Sequence, residues 1–177
     1  MDKQYHALPA TGEAMNDAAP AVFLALEASG LGAAIRQSSW AYMAANVGHI
    51  VSLMAFAGAI AVLDLRMMGA FAATSPGFVL RMARRGAIIA FVGLVVTGAV
   101  LFTAEASHVV LNRVFQIKLG LIALGLVNVV LFELLVAPRL THLPPLAPLP
   151  RIARVIAVAS LTIWFCVAAS GRLIAYF

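Results

Sequence analysis

Long apolar segments set the pattern of hydrophobic and polar positions along this chain. The stretch Ala41–Leu63 carries one histidine, His49, and no fixed charge. At about 1.5 Å of rise per residue, a helix of this length crosses the roughly 30 Å hydrocarbon core of a bilayer. Trp40 and Tyr42 stand at its start, where amphipathic rings favour the membrane interface, and Asp64 closes it. The pattern predicts a membrane-spanning helix.

Three further apolar segments follow, so the sequence predicts an all-α integral membrane protein with a four-transmembrane-helix bundle. The predicted crossings cover residues 41–63, 86–104, 114–137 and 152–171. Residues 18–177 are expected to form a single membrane domain after a flexible, polar segment at 1–17. An interfacial helix is predicted over residues 20–37, whereas the proline-rich run 143–150 cannot form regular helix.

Composition supports the membrane class and excludes others. The chain is 63% hydrophobic and 11% charged, whereas a soluble domain carries about 25% charged residues. The net charge of +5 comes without a basic run or interleaved aromatic patch, so no nucleic-acid partner is expected. Cys166 is the only cysteine, which excludes an internal disulfide. The first 17 residues lack the apolar core of a cleaved signal peptide, so Ala41–Leu63 is expected to act as an uncleaved insertion signal.

Basic residues are distributed unequally between the two ends of the predicted bundle. Loops one and three hold seven of them: Arg66, Arg81, Arg84, Arg85, Arg139, Arg151 and Arg154. The opposite end holds five: Lys3, Arg36, Arg113, Lys118 and Arg172. The positive-inside rule then predicts loops one and three in the cytoplasm of a bacterial inner membrane, with both termini periplasmic.

Small residues at spacings of three and four predict where two of the crossings touch. They are Ala44, Gly48 and Ser52 on the first crossing, and Gly86, Ala90, Gly93 and Thr97 on the second. Such residues let membrane helices approach closely. They predict a packed bundle and no particular activity.

His49 is the strongest candidate for chemistry, because it lies roughly 12 Å inside the first crossing. Asn46 and Ser52 share with it an arc of about 120°. An imidazole there can ligate a b-type haem, bind copper as a metal ligand, or hydrogen-bond a quinone carbonyl. A neutral histidine tied to a neighbouring helix is the structural alternative. A haem held within the bundle would need a second ligand, for which His108 is the candidate on the same outer side.

The remaining charged residues near the helix ends predict structural ion pairs. Glu105 ends the second crossing and Lys118 begins the third, so a pair between them is expected at the outer side. Glu133 lies near the inner side, where Arg139, Arg151 or Arg154 is the expected partner. Pairs of this kind lock membrane helices together.

Parts of the chain resemble a family of uncharacterised short bacterial four-helix membrane proteins, which is itself distantly similar to the membrane domain of CopD-type copper-resistance proteins. The resemblance rests on Leu26–Tyr42, His49–Gly69, Thr97–Ala106 and Asn112–Leu121, and covers about residues 24–135. The resemblance implies the same fold, and the family itself has no assigned reaction. Members carry a histidine after the asparagine of the third helix, where this chain has Glu133.

No hydrolase triad, phosphate-binding loop or dinucleotide fingerprint occurs in the sequence. The first functional hypothesis is a membrane subunit of a redox complex that holds haem b or contacts quinone through His49. The alternative is a non-catalytic accessory subunit of a larger respiratory or photosynthetic membrane complex, packed against other membrane subunits in the lipid bilayer. Copper handling is a further alternative.

Overall fold

The computed structural model describes residues 19–140, 142–174 and 176, and every regular element within them is a helix. The helices are α1 (Ala21–Ala28), α2 (Gly30–Gln37), α3 (Ser39–Met68), α4 (Pro76–Ala104), α5 (Ala106–Leu111), α6 (Arg113–Leu135), α7 (Ala137–Leu140) and α8 (Arg151–Leu173). Four of them, α3, α4, α6 and α8, are long and apolar enough to cross a membrane. The chain is therefore an all-α, multi-pass membrane protein, as predicted. The polar segment 1–17 lies outside the described residues.

The first crossing, α3, extends beyond the predicted segment at both ends. The Ser38 hydroxyl accepts a hydrogen bond from the backbone N–H of Ala41 at 3.2 Å and so caps the helix. Gly69 ends it with a φ of 112°, a left-handed conformation that glycine adopts without steric cost. Asp64, which was expected to close the segment, therefore lies inside the helix, about one turn before its end.

The second crossing, α4, begins at Pro76, ten residues before the predicted start at 86. Proline favours the first turn of a helix because its φ is already helical and its missing N–H is not needed there. Arginine is a good helix former, and its long side chain can reach the interface. Arg81, Arg84 and Arg85 therefore lie on the helix, and loop one shrinks to residues 69–75.

The predicted interfacial helix over residues 20–37 is wrong as a single element, because it breaks at Ser29 into α1 and α2. The Ser29 hydroxyl donates to the carbonyl of Leu26 at 2.6 Å and accepts from the N–H of Gly32 at 3.2 Å. A side chain at position 32 would meet the carbonyl oxygen of Glu27 at 2.5 Å, so the tight corner requires glycine. The two short helices meet at this corner and are called the α1–α2 hairpin. The end of the bundle where they lie, which the sequence predicts to be periplasmic, is called the outer end.

The connection between the second and third crossings also contains a helix, α5, which the sequence did not predict. Asn112 then starts α6, because its side-chain oxygen accepts hydrogen bonds from Val114 N at 2.9 Å and Phe115 N at 3.2 Å. The other bounds of α6 and α8 lie within two residues of the predicted ones.

Packing within the bundle follows the order α4, α3, α8, α6, in which each helix contacts the next. A Cβ atom at Gly48 would lie 3.2 Å from Thr97, and one at Gly93 would lie 3.3 Å from the Cβ of Ser52. The predicted close approach of α3 and α4 through small residues is confirmed. α4 and α6 stand at the two ends of this order, so they contact each other over only part of their length.

Apolar residues of five helices form one buried cluster at the opposite end of the bundle, which is called the inner end. Its members are Leu63, Met67, Leu80, Ala83, Phe132, Val136, Ala137, Leu140, Ala153, Ile156 and Ala157. Residues 143–150 form no helix, as predicted, and Leu143 and Leu149 pack against the cluster. The N–H of Leu146 donates to the carbonyl of Ala72 at 2.9 Å, which ties loop three to loop one.

Candidate functional site: a crevice between α4 and α6

A cavity of about 430 Å³ lies inside the bundle, between α3, α4, α6 and α8. Its mouth runs between Ile88 and Val92 on α4 and Leu126 and Val129 on α6, whose side chains are all exposed on the protein surface. The walls are mainly apolar. Since these helices span the bilayer, the crevice opens towards lipid and is accessible to a molecule dissolved in the membrane.

Two bridges between α4 and α6 frame the opening. At the outer end, the rings of Phe102 and Phe115 stack with their centroids 5.6 Å apart. Nearer the inner end, Arg84 Nη2 forms an ion pair with Glu133 Oε2 at 2.5 Å. Between these bridges the two helices leave the crevice open.

The Arg84–Glu133 pair corrects the expected partner of Glu133. Arg139, Arg151 and Arg154 follow Glu133 in the sequence, but the structure exposes all three on the surface. α6 ends at Leu135, and the chain turns away into α7 before it reaches Arg139. Glu133 instead faces α4 across the crevice, so it meets an arginine of the second crossing.

Asp64 is the most deeply buried ionisable group of the crevice, with 4% of its surface exposed. The Ser160 hydroxyl of α8 lies within hydrogen-bonding reach of its carboxyl group. The second carboxyl oxygen, Oδ2, is buried without a hydrogen-bond partner. A buried polar atom left unpaired costs about 1–3 kcal/mol, more for a charged group, so a ligand that satisfies it gains that contribution.

Two further crevice groups have unpaired buried donors. Arg84 uses Nη2 for the ion pair, and its Nε is buried with no partner. Trp164, on α8, packs edge-on against Phe56 at 4.7 Å between ring centroids, and its Nε1 is also buried with no partner. Asp64, Arg84 and Trp164 belong to three helices and line the same apolar cavity, and each has one buried polar atom without a partner.

Gly125 holds the Trp164 ring in this position, which gives a test of the crevice wall. A Cβ atom at Gly125 would lie 2.8 Å from the indole ring, whereas one at Gly120 on the same helix would meet nothing within 4 Å. We expect Gly125→Ala to destabilise the bundle by about 1–3 kcal/mol, because a rigid ring must move. Unfolding in detergent measures the change, with Gly120→Ala as the matched control. Equal stability of the two variants would contradict the packing.

The residues predicted as the site lie elsewhere. His49 Nδ1 is 2.9 Å from the Thr97 hydroxyl oxygen. That hydroxyl donates its one proton to the carbonyl of Gly93 at 2.6 Å, so Nδ1 of His49 must be the donor to Thr97. The lone pair of the neutral ring is then on Nε2. Ser52 is half-buried against Gly93, whereas Asn46 is exposed, so the predicted polar patch is divided between two environments.

His108 lies on α5 in the outer hairpin region, close enough to Glu27 to lower its pKa through its charge. Glu27 accepts two hydrogen bonds from Ser107, from N at 2.8 Å and from Oγ at 2.5 Å. Arg36 donates to the carbonyls of Glu27 at 2.8 Å and Ala104 at 3.1 Å. These contacts hold the α1–α2 hairpin on α5 and on the end of α4.

The Glu27–Ser107 contact predicts a pH-dependent hairpin. Burial raises the pKa of Glu27, but the Ser107 hydrogen bonds and the charges of Arg36 and His108 together lower it below 4.5. The carboxylate form therefore stabilises docking above pH 4.5, and this contribution is lost as the pH falls through the lowered pKa. We expect spin labels at Ala28 and Gln116 in a Cys166→Ser background to separate on acidification. If the labels separate at the same pH in Glu27→Gln, Glu27 is not the group whose protonation releases the hairpin.

The predicted Glu105–Lys118 pair is replaced by other contacts. The Tyr42 hydroxyl donates to Glu105 Oε1 at 3.4 Å. Lys118 instead lies towards α8, where a Cβ atom at Gly171 would be 3.4 Å from Nζ. Among the described residues, Arg84–Glu133 is the ion pair within 4 Å. The kink between α4 and α5 places Glu105 beside the start of α3 and away from Lys118.

The crevice residues Asp64, Arg84 and Trp164 were missed because the sequence places them in three separate segments. Asp64 and Arg84 were predicted as charges at or beyond the helix ends, and Trp164 was not singled out within the fourth predicted crossing. The available signal was polar residues inside apolar crossings: Asn128 and Ser160 are both buried and both line the crevice.

In the part of the chain that the structure describes, no three His, Cys, Asp or Glu residues converge as a metal-binding group. Searches of curated proteins and of solved structures find no match for the chain. Residues 23–177 match a family described as a family of unknown function, DUF6644. This match covers all four crossings, their connections and all but the first two residues of the hairpin. The chain therefore belongs to the uncharacterised DUF6644 family of multi-pass membrane proteins.

Proposed function

We propose that this protein is a membrane subunit of a redox complex that binds a quinone in the crevice between α4 and α6. One observation carries the proposal: Asp64 Oδ2, Arg84 Nε and Trp164 Nε1 are all unpaired, and all belong to residues that line one apolar cavity open to the bilayer. A ligand for such a site needs a hydrogen-bonding head and an apolar remainder.

A quinone has the matching chemistry. Its two carbonyl oxygens accept hydrogen bonds, and the Arg84 and Trp164 N–H groups are donors. Asp64 serves both redox forms, because a protonated carboxyl group donates to a quinone carbonyl and a carboxylate accepts from a quinol hydroxyl. The isoprenoid tail leaves through the mouth between Val92 and Val129 into lipid. Apolar walls exclude water, which strengthens each of these hydrogen bonds.

The quinone site proposed in the crevice differs from the site at His49 that the sequence suggested. His49 keeps a separate candidate role, since its hydrogen bond to Thr97 leaves the Nε2 lone pair, which would ligate the iron of a haem. His108 is exposed on α5, so a haem at His49 would take its second ligand from a partner subunit. The accessory-subunit and copper alternatives remain proposals that no contact in the described residues favours over quinone binding.

Tryptophan fluorescence tests the proposal directly. The chain has two tryptophans, so Trp40→Phe leaves Trp164 as the reporter inside the crevice. In protein reconstituted in lipid nanodiscs, we expect a short-chain ubiquinone to quench this fluorescence saturably. Asp64→Leu and Arg84→Gln are each expected to weaken binding roughly tenfold, because the first removes the carboxyl donor to the quinone carbonyl and the second removes a charge-assisted hydrogen bond. Arg85→Gln, an exposed neighbour, is the matched control. Quenching that never saturates, or that is unaffected by both crevice variants, would refute the site.

The proposal includes the orientation predicted from the basic residues: loops one and three cytoplasmic in a bacterial inner membrane, and both termini periplasmic. Single cysteines at Ala73 and Ala147, in a Cys166→Ser background, are expected to react with an impermeant maleimide only after the cells are permeabilised. A cysteine at Gln116 is expected to react in intact cells. The reverse labelling pattern would show that the protein has the opposite orientation in the membrane.

A further inference from the structure

The inner end of the bundle carries an excess of exposed positive charge. Five exposed arginines surround the buried cluster at this end: Arg81, Arg85, Arg139, Arg151 and Arg154. The described carboxylates at the same end are both engaged elsewhere, since Asp64 is buried in the crevice and Glu133 is paired with Arg84. Within the described residues, these five arginines therefore face no neutralising carboxylate.

Two large apolar side chains stand out from the loops of the same end. Phe71 in loop one is 58% exposed, and Leu146 in loop three is 75% exposed. Both have a positive φ, 53° and 63°, which is unfavourable for side chains of this size. Their backbones are held in this form by the surrounding structure.

Hydrogen bonds join these two loops into one rigid surface. Arg66 is buried, with 1% exposed, and its guanidinium donates to the carbonyls of Ala72 at 3.3 Å and Thr74 at 2.9 Å. The carbonyl of Ala72 also accepts the N–H of Leu146 at 2.9 Å. The loops thus present Phe71 and Leu146 together, beside the exposed arginines. We call Phe71, Leu146 and the five exposed arginines the inner surface.

We propose that the inner surface binds the head groups of anionic phospholipids. Guanidinium groups form bidentate hydrogen bonds with phosphate, and each basic side chain near a membrane surface adds to the attraction for anionic lipid. Phe71 and Leu146 enter the boundary between head groups and acyl chains, as apolar residues of interfacial segments do. The inner surface adjoins the ends of four spanning helices, so it meets the lipid surface without any movement of the protein. This proposal is independent of the crevice and of its ligand.

Lipid selectivity measured by electron paramagnetic resonance tests the proposal on the full chain. The protein is reconstituted in phosphatidylcholine, and spin-labelled phosphatidylglycerol or phosphatidylcholine is added as the probe. We expect the wild-type protein to retain phosphatidylglycerol preferentially, and high salt to reduce this preference. Arg139→Gln/Arg151→Gln is expected to lower the preference by roughly fivefold for each arginine.

The matched control is Arg113→Gln/Arg172→Gln, which removes the same charge from exposed residues at the outer end. It is expected to leave the preference close to the wild-type value. An equal loss in both double variants would show a general charge effect and overturn the inner surface as the site. The absence of any wild-type preference would also overturn it, and binding of an acidic peptide to the wild-type chain in that case would assign the inner surface to a protein partner.

Discussion

Filling the crevice with Ala87→Phe is expected to weaken quinone binding by at least about thirtyfold. Ala87 lines the cavity on α4 and is only partly buried, so an added ring enters the 430 Å³ space and occupies the position of the ligand. A loss of about 2 kcal/mol in binding free energy corresponds to this factor. Trp164 quenching in the Trp40→Phe background measures it.

The control for this variant is Ile89→Phe. Ile89 is 74% exposed on the same helix and does not line the cavity. It adds an aromatic ring to the lipid-facing side and is expected to bind quinone like the parent. Circular dichroism of both variants checks that the helices are intact. Unchanged quinone affinity in folded Ala87→Phe would place the ligand outside the crevice.

Removing the partner of Arg84 is expected to have the largest effect on stability. In Glu133→Ala the half-buried guanidinium stays beside the apolar crevice without its ion pair, at a cost of about 2–3 kcal/mol in the free energy of unfolding. The double variant Arg84→Gln/Glu133→Gln removes both charges and is expected to recover most of this loss. Unfolding in mixed detergent micelles provides the measurement.

Arg85→Gln supplies the comparison for this stability effect, since Arg85 is the exposed neighbour and makes no ion pair among the described residues. Its stability is expected to stay within about 0.5 kcal/mol of the wild-type value. If Glu133→Ala is no less stable than Arg85→Gln, the ion pair contributes nothing and the crevice is held open by the other contacts.

The location of the crevice illustrates why a candidate site was harder to predict than a helix. Asp64 and Arg84 were assigned to loop one because charges usually end an apolar segment. In the structure both helices continue past those charges, since Gly69 and Pro76 set the actual ends. His49, by contrast, was prominent in the sequence as a lone imidazole, but it hydrogen-bonds to Thr97 of the neighbouring helix and packs where a Cβ atom at Gly98 would lie 3.3 Å from its ring.

The sequence by itself determined the number and approximate span of the crossings, the non-helical proline-rich connection, and the small-residue contact between α3 and α4. These features depend on local composition and on spacing along one helix, which the chain records directly. The tertiary structure decided the break at Ser29, the partner of Glu133, and the meeting of Asp64, Arg84 and Trp164. Those features depend on how each helix is rotated about its axis and on which helices, distant in sequence, come to lie side by side. Apolar residues on every face of a membrane helix leave that rotation unspecified, and only packing against the neighbouring helices fixes it.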